Sequence, residues 1–300
     1  MKSRFKNIGF GDLCSWFGLS RQAYYQFRQE ADIEAVEHEL VVKEILKIRM
    51  SHPRMGGRKL FFKLSPFMKE HKIKIGRDAF FNLLSFNKLL VKRKKNYIKT
   101  TYSHHWLRKY PNLISEIIPT APNQIWASDI TYWKINGEHL YISLITDTFS
   151  RKIVGYHVAE TMEAVETLQA LKMAIRNNKG KLENLIHHSD RGVQYCSTRY
   201  VKLLKKNKIN ISMTQNGDPL ENAIAERING IIKHEYLFEF KADNLEQAKK
   251  LLQKVVRLYN EERPHSSIGF KTPFVVHERL ETADIDRVWK NYYEKQEIVA

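Results

Sequence analysis

Between residues 124 and 159 three runs rich in β-branched and aromatic residues follow one another at short spacing: QIWASDITYWKI, HLYISLITDTFS and KIVGYHVAET. Asn136–Gly137 and Ser150–Arg151 lie between them, residue types suited to tight hairpin turns, so the runs predict three antiparallel strands. The rhythm then changes. Helical periodicity over about 162–177 is followed by a strand NLIHHSD (184–190), a helix over about 198–208, a strand NISMTQ (210–215), a helix from about 220 and a long helix over about 244–262. Strands that alternate with helices pair in parallel, so the expected class is α/β, a mixed five-stranded sheet with helices on both faces.

Charge is spread unevenly. Residues 1–120 hold 24 lysines and arginines against 10 acids, and residues 121–300 hold 26 against 23, so most of the net charge of +17 lies in the first part. Basic side chains that neutralise phosphates release counterions, which makes a polyanion the expected partner. A membrane surface is disfavoured, because this part lacks a single basic helix with a strong apolar face. No apolar run approaches the ~18 residues of a membrane span, and no secretory leader pattern is seen. A cytoplasmic location is expected. Cys14 and Cys196 lie far apart without metal-ligand spacing, which predicts buried thiols and neither a disulfide framework nor a zinc site.

The basic part reads as helical. In FGDLCSWFGLSRQAYYQFRQE (10–30) a helix breaks at Gly18 and a second helix is capped by Ser20. That is the order of a helix-turn-helix with Arg21 and Gln22 near the start of its second helix, and a plain helical hairpin fits the same pattern. Acidic residues 30–39 lead into a helix, Pro53, Gly56 and Gly57 break the chain before another begins at Leu60, and RDAFFNLLSFNKLL (77–90) is amphipathic. VKRKKNYIKTTYSHH (91–105) is basic with interleaved tyrosines, a linker suited to tracking along DNA.

Three acids carry the chemistry. Asp129 sits inside the first strand and Asp190 at the C-terminal end of the fourth, where open sheets commonly place ligand sites. A carboxylate inside an apolar strand is costly unless paired or metal-bound. Glu226 lies on the helix ENAIAERINGIIKHEY (221–236). There Asn222, Glu226, Asn229 and Lys233 form a polar stripe opposite Leu220, Ile224, Ile228 and Ile231, a pattern that an ordinary solvated face shares. Two metal ions at a phosphoryl-transfer site need oxygen ligands from separate elements, and Asp, Asp and Glu from two strands and a helix meet that need.

Asp190 and Glu226 are separated by 35 residues, and Lys233 follows Glu226 by seven. At these residues the sequence resembles the DDE transposases and retroviral-type integrases, and most closely the integrase-like protein of bacterial insertion sequences of the copy-out, paste-in group. The supporting motifs are WASDITY (126–132), LITDTFSRKIVG (144–155), HHSDRGVQY (187–195), DPLENAIAERINGIIKHEY (218–236) and YNEERPHSSIGFKTP (259–273). Glu221 stands where an Asp often precedes the Asn-Ala pair. The resemblance implies a ribonuclease H-like catalytic core with Asp129, Asp190 and Glu226 as catalytic metal ligands for Mg²⁺ or Mn²⁺, in two ions. It implies Mg-dependent cleavage at the element's ends followed by attack of the freed 3′-hydroxyl. It also makes Asp147 a structural strand-end residue, and His187, His188 and Trp126 site-lining residues, with a satisfied structural role for the histidines an equal alternative.

The expected DNA contacts are Lys233, Arg227 and Asn222 beside the acids, and Arg21, Gln22, Arg58, Lys92, Arg93, Lys94 and Lys95 in the basic part. The expected organisation is a helix-turn-helix-like segment (1–35), a helical DNA-binding domain (36–100), a basic linker (101–119), the catalytic core (120–280) and a C-terminal tail (281–300). Double-stranded DNA, further copies of the chain and an upstream-frame product or fusion are the implied partners, with the protein at the bacterial nucleoid. The alternative is a catalytically inactive DNA-binding regulator or decayed transposase copy, disfavoured because all three acids are present. A zinc-bearing retroviral integrase is disfavoured because the N-terminal part has Cys14 alone.

Overall fold

A computed structural model describes residues 9–92, 106–178, 182–215 and 222–279. Arg93, Lys94, Lys95, Glu221 and the tail 281–300 lie outside the described residues. The chain divides into two compact units, residues 1–50 with 60–90, and residues 51–59 with 91–300.

The first unit is helical: α1 (Phe10–Trp16), α2 (Arg21–Ser51), most of α3 (Gly57–Glu70) and α4 (Arg77–Phe86). Gly18 takes φ +68°, which a glycine adopts without strain, and Ser20 Oγ accepts the Ala23 amide at 3.0 Å, so the expected break and cap are both present. The acidic stretch 30–39 does not precede a separate helix. It lies within the single 31-residue α2, where neither Gly nor Pro interrupts the chain. Val41, Ile45, Leu60, Leu64, Phe80 and Leu84 are buried, and the Phe61 and Phe80 rings meet edge to face at 5.3 Å.

The second unit holds the sheet. β1 (Ile125–Ile135), β2 (Glu138–Asp147) and β3 (Ile153–Ala159) form an antiparallel meander, and β4 (Ile186–Ser189) and β5 (Asn210–Met213) add in parallel on the other side of β1, giving the order β3-β2-β1-β4-β5. Asn136 and Gly137 both take positive φ, 48° and 94°, the requirement of the tight hairpin turn that their types predict.

Strand alternation splits the apolar residues between two cores. On one face Trp133, Leu140, Ile142 and Leu144 pack with α8 (Ala223–Ile231), the π-helical turn Ile232–Leu237 and α9 (Leu245–Arg257). On the other, Trp126 and Ile145 pack with α5 (Ala164–Asn177), α6 (Val193–Cys196) and α7 (Thr198–Lys206). Gly155 permits the close approach of α5, since a Cβ there would stand 2.8 Å from Ala174 Cβ. A second π-helical turn, Leu258–Glu262, follows α9, and α10 (Pro273–His277) closes the described chain. Cys14 and Cys196 are buried free thiols, as expected. Among the described residues no helix is long and apolar enough to cross a membrane.

Candidate active site

The sheet register brings the two aspartates together. Ala127 stands opposite His188 and Ser128 opposite Ser189 in the parallel ladder, so the next residues, Asp129 and Asp190, leave it side by side. Gly192 N–H donates to Asp190 Oδ1 at 3.0 Å and fixes the turn after β4. α8 packs over the same face: Asn222 Nδ2 donates to the Ser128 carbonyl at 3.0 Å and Asn229 Nδ2 to Asp129 Oδ2 at 2.8 Å. Glu226 lies between these two asparagines, exposed in the first turn of α8.

The electrostatics follow from this crowding. Burial pushes the Asp129 carboxyl up to about 7, and the negative charges of Asp190 and, more weakly, Glu226 push the same way. The Asn229 hydrogen bond and the Ile130 N–H at 2.9 Å oppose the rise. The negative charges of Asp190 and, more weakly, Glu226 acting on Asp129 leave the carboxylates short of positive charge, a balance that a hard divalent cation would relieve. Among the described residues no group of three Asp, Glu, His or Cys side chains is placed so that it could hold a metal ion.

The polar stripe on α8 is not a solvated face. Asn222, Asn229 and Lys233 are 6%, 4% and 9% exposed, while Glu226 and Arg227 are exposed. The Lys233 ammonium lies 3.8 Å from the centre of the Tyr132 ring, a cation–π contact, and its pKa is lowered by burial against the opposing pull of Asp129. Asn229 is the residue that local reasoning passed over. Its place on the stripe was visible, but not its bond to a strand a hundred residues away.

Other expected site residues are placed differently. Trp126 is fully buried on the sheet face opposite Asp129, three residues and hence an odd step away, with its indole N–H on Asn123 Oδ1 at 3.0 Å. It is a core residue and does not line the acids. His188 shares the face of Asp190 but is fully buried, its Nδ1 2.8 Å from Ser212 Oγ, so it ties β4 to β5. His187 points the other way, between Ser128 Oγ (2.7 Å) and the Tyr200 hydroxyl (3.0 Å), and burial followed by the charge of His188 lowers its pKa to about 3. Tyr195 is buried beside this group, and burial, then Tyr200, Asp190 and Asp129, raise its pKa. Asp147 is a structural residue, as expected: it accepts the amides of Asn123 and Ser150, both at 2.7 Å, and Ser150 Oγ at 2.6 Å. Arg21, Gln22, Arg58 and Lys92 are exposed in the basic part.

The integrase core domain family matches residues 119–219, and a second description of the same domain matches 207–273. The chain is 33% identical over 269 residues to the insertion element IS600 uncharacterized 31 kDa protein of Shigella sonnei, covering 89% of this chain and 98% of that protein. It is 27% identical to the transposase for insertion sequence element IS629 of Shigella sonnei, covering 89% and 91%. A solved structure of the HTLV-2 integrase catalytic core domain in complex with magnesium (trimeric form) is 23% identical with a TM-score of 0.43, covering 53% of this chain and 98% of that one.

Proposed function

The chain belongs to the DDE transposases of insertion sequences, built on an integrase core domain, and from that premise we propose that Asp129, Asp190 and Glu226 hold two Mg²⁺ or Mn²⁺ ions at the ends of a mobile DNA element. Transposases of this family are divalent-metal-dependent polynucleotidyl transferases that cleave and join DNA strands. The observation that supports the assignment is the register that brings Asp129 and Asp190 side by side, with the Asp129 carboxyl raised to about 7 by burial and by the charges of Asp190 and, more weakly, Glu226.

When bound, the ions activate the attacking oxygen and stabilise the leaving one. The protein's own groups do the rest. Asn229 holds Asp129 by Oδ2, and the Ile130 amide holds Oδ1, so the carboxylate has one orientation. Asn222 ties the start of α8 to β1, which fixes the height of Glu226 above the pair. Lys233, braced on Tyr132, is oriented toward the acids to steady a phosphate there, and exposed Arg227 extends that contact along the backbone. No Ser or Tyr nucleophile is required, since water and then the freed 3′-hydroxyl attack.

Double-stranded DNA is the partner, and exposed Arg21, Gln22, Arg58 and Lys92 support phosphate and groove contacts in the helical part. Arg93, Lys94 and Lys95 extend this proposed contact along the linker. Several copies of the chain bring two DNA ends together, with an upstream-frame product or fusion, in the cytoplasm on nucleoid DNA. The test incubates a labelled duplex bearing the element's terminal repeat with Mg²⁺ and the purified chain, with and without the upstream product. Nicking and joining that vanish with Glu226→Gln support the assignment, and activity that survives this change sinks it.

A further inference from the structure

The helix that presents Glu226 does not end as an α-helix. It passes into the π-helical turn Ile232–Leu237, and the side chains that hold this turn come from two remote stretches of sequence. Glu235 accepts two parallel hydrogen bonds from buried Arg263, at 2.7 and 2.8 Å, and a third from Lys59 at 3.1 Å. The Tyr236 hydroxyl and buried His52 Nδ1 share a bond of 2.9 Å, and Arg54 donates to Glu239 at 3.0 Å. Residues 51–59 thus belong to the compact unit of the catalytic fold, although more than thirty residues of the other unit separate them in sequence from its remainder.

A π-helical turn is rare because its hydrogen-bond register is intrinsically poor, and it persists where surrounding contacts impose it. If the turn relaxed to α geometry, each side chain displaced by one position would rotate by about 100°. Lys233 would then leave Tyr132, and the pull on Asn229, four residues earlier, would change.

Lys59 is not needed to neutralise the pair. Arg263 already satisfies the Glu235 carboxylate with two bonds, and burial and the Arg263 charge both lower the Lys59 pKa, so a second cation adds a desolvation cost. What Lys59 adds is an attachment of residues 51–59 to Glu235 of the turn, while Lys233 of the same turn lies over the Tyr132 ring.

We propose that Lys59, together with His52, is a positioning residue for strand transfer: the two side chains lock the π-helical turn so that Lys233 stays over Tyr132 and Asn229 stays on Asp129. The inference rests on the assignment of Asp129, Asp190 and Glu226 made above.

The full chain carrying Lys59→Met or Lys59→Arg is compared with the unaltered protein on a pre-nicked terminal-repeat duplex with Mg²⁺, and by hydrogen exchange of backbone amides without DNA. Lys59→Met is expected to lower kcat by about 10- to 100-fold, the scale of supporting groups around a metal site. KM for the duplex stays within about twofold, since Lys59 itself touches no DNA and most phosphate contacts lie elsewhere on the chain. Amides of residues 229–237 exchange faster, those of β1–β3 keep their protection, and Lys59→Arg restores both rate and protection.

Unchanged kcat with unchanged exchange overturns the proposal, as does a raised KM at constant kcat, which would make Lys59 a DNA contact. If Lys59→Met loses protection throughout the sheet, Tyr236→Phe, which removes only the hydroxyl on His52, is read by the same criteria. Glu226→Gln separates the two levels of inference. Activity surviving that change refutes the metal assignment, whereas the exchange result alone decides whether Lys59 locks the turn.

Discussion

Asp129 and Asp147 are aspartates on neighbouring antiparallel strands, and their surroundings are opposites. Asp147 is fully buried at the end of β2 and accepts three short hydrogen bonds, from two backbone amides and Ser150 Oγ, all from residues that form the turns around it. Asp129 receives one side-chain donor and its neighbour's amide, and it faces two further acids. A satisfied carboxylate stabilises a turn. An under-satisfied one, crowded by like charges, destabilises the metal-free protein and gains from a cation.

That contrast breaks most sharply under paired substitution. Asp129→Asn is expected to reduce strand transfer at least about 100-fold, beyond the loss typical of a supporting group. Asp147→Asn should leave the folded protein active but lower its unfolding free energy by about 2 kcal/mol, because charge-assisted buried bonds weaken. Denaturant titration and single-turnover rates on both variants test it, and equal activity losses would erase the distinction between the two sites.

The next effect is in pH. The Asp129 carboxyl is raised from 3.8 to about 7 on folding, so the native state binds its proton more tightly than the unfolded chain does. Stability from this group is fully present below pH ~4 and is lost as pH rises through ~7. In the absence of metal, Asp129→Asn should therefore unfold at a higher temperature than the unaltered protein at pH 8, with the gap closing toward pH 4. A gap of constant size across that range would mean that burial and the neighbouring acids do not raise the Asp129 carboxyl as described.

The smallest effect sharpens the structural side. Ser150→Ala removes one of the three donors to Asp147 and should cost about 1 kcal/mol, with no change in strand-transfer rate per folded molecule. A rate loss there would link the β2–β3 turn to the face that carries Asp129 and Glu226.

The motif YNEERPHSSIGFKTP shows why a recognisable segment need not touch substrate. Tyr259 donates to the Arg151 carbonyl at 2.9 Å, Asn260 pairs with both backbone groups of Ile153 at 2.9 and 3.0 Å, and Arg263 clamps Glu235. These residues hold the turn after β2 and the end of the helix that carries Glu226. Their spacing was legible, and their partners were not.

By itself the sequence determined what depends on neighbours along the chain. The Asn136–Gly137 turn, the three-strand meander, the alternation that follows it, the Ser20 cap and the spacing of Asp129, Asp190, Glu226 and Lys233 all rest on periods of two or 3.6 residues and on local backbone preference. Tertiary structure alone decided the rest. It set the burial of Asn222, Asn229 and Lys233 on the stripe that runs from the start of α8 into the π-helical turn, the removal of Trp126 to the opposite core, the continuity of α2 and the bonds of Lys59, His52 and Arg263 to that turn. The reason is physical: a polar side chain reads the same in sequence whether its partner is water or a group 176 residues away, as Lys59 and Glu235 are. Only packing chooses between them.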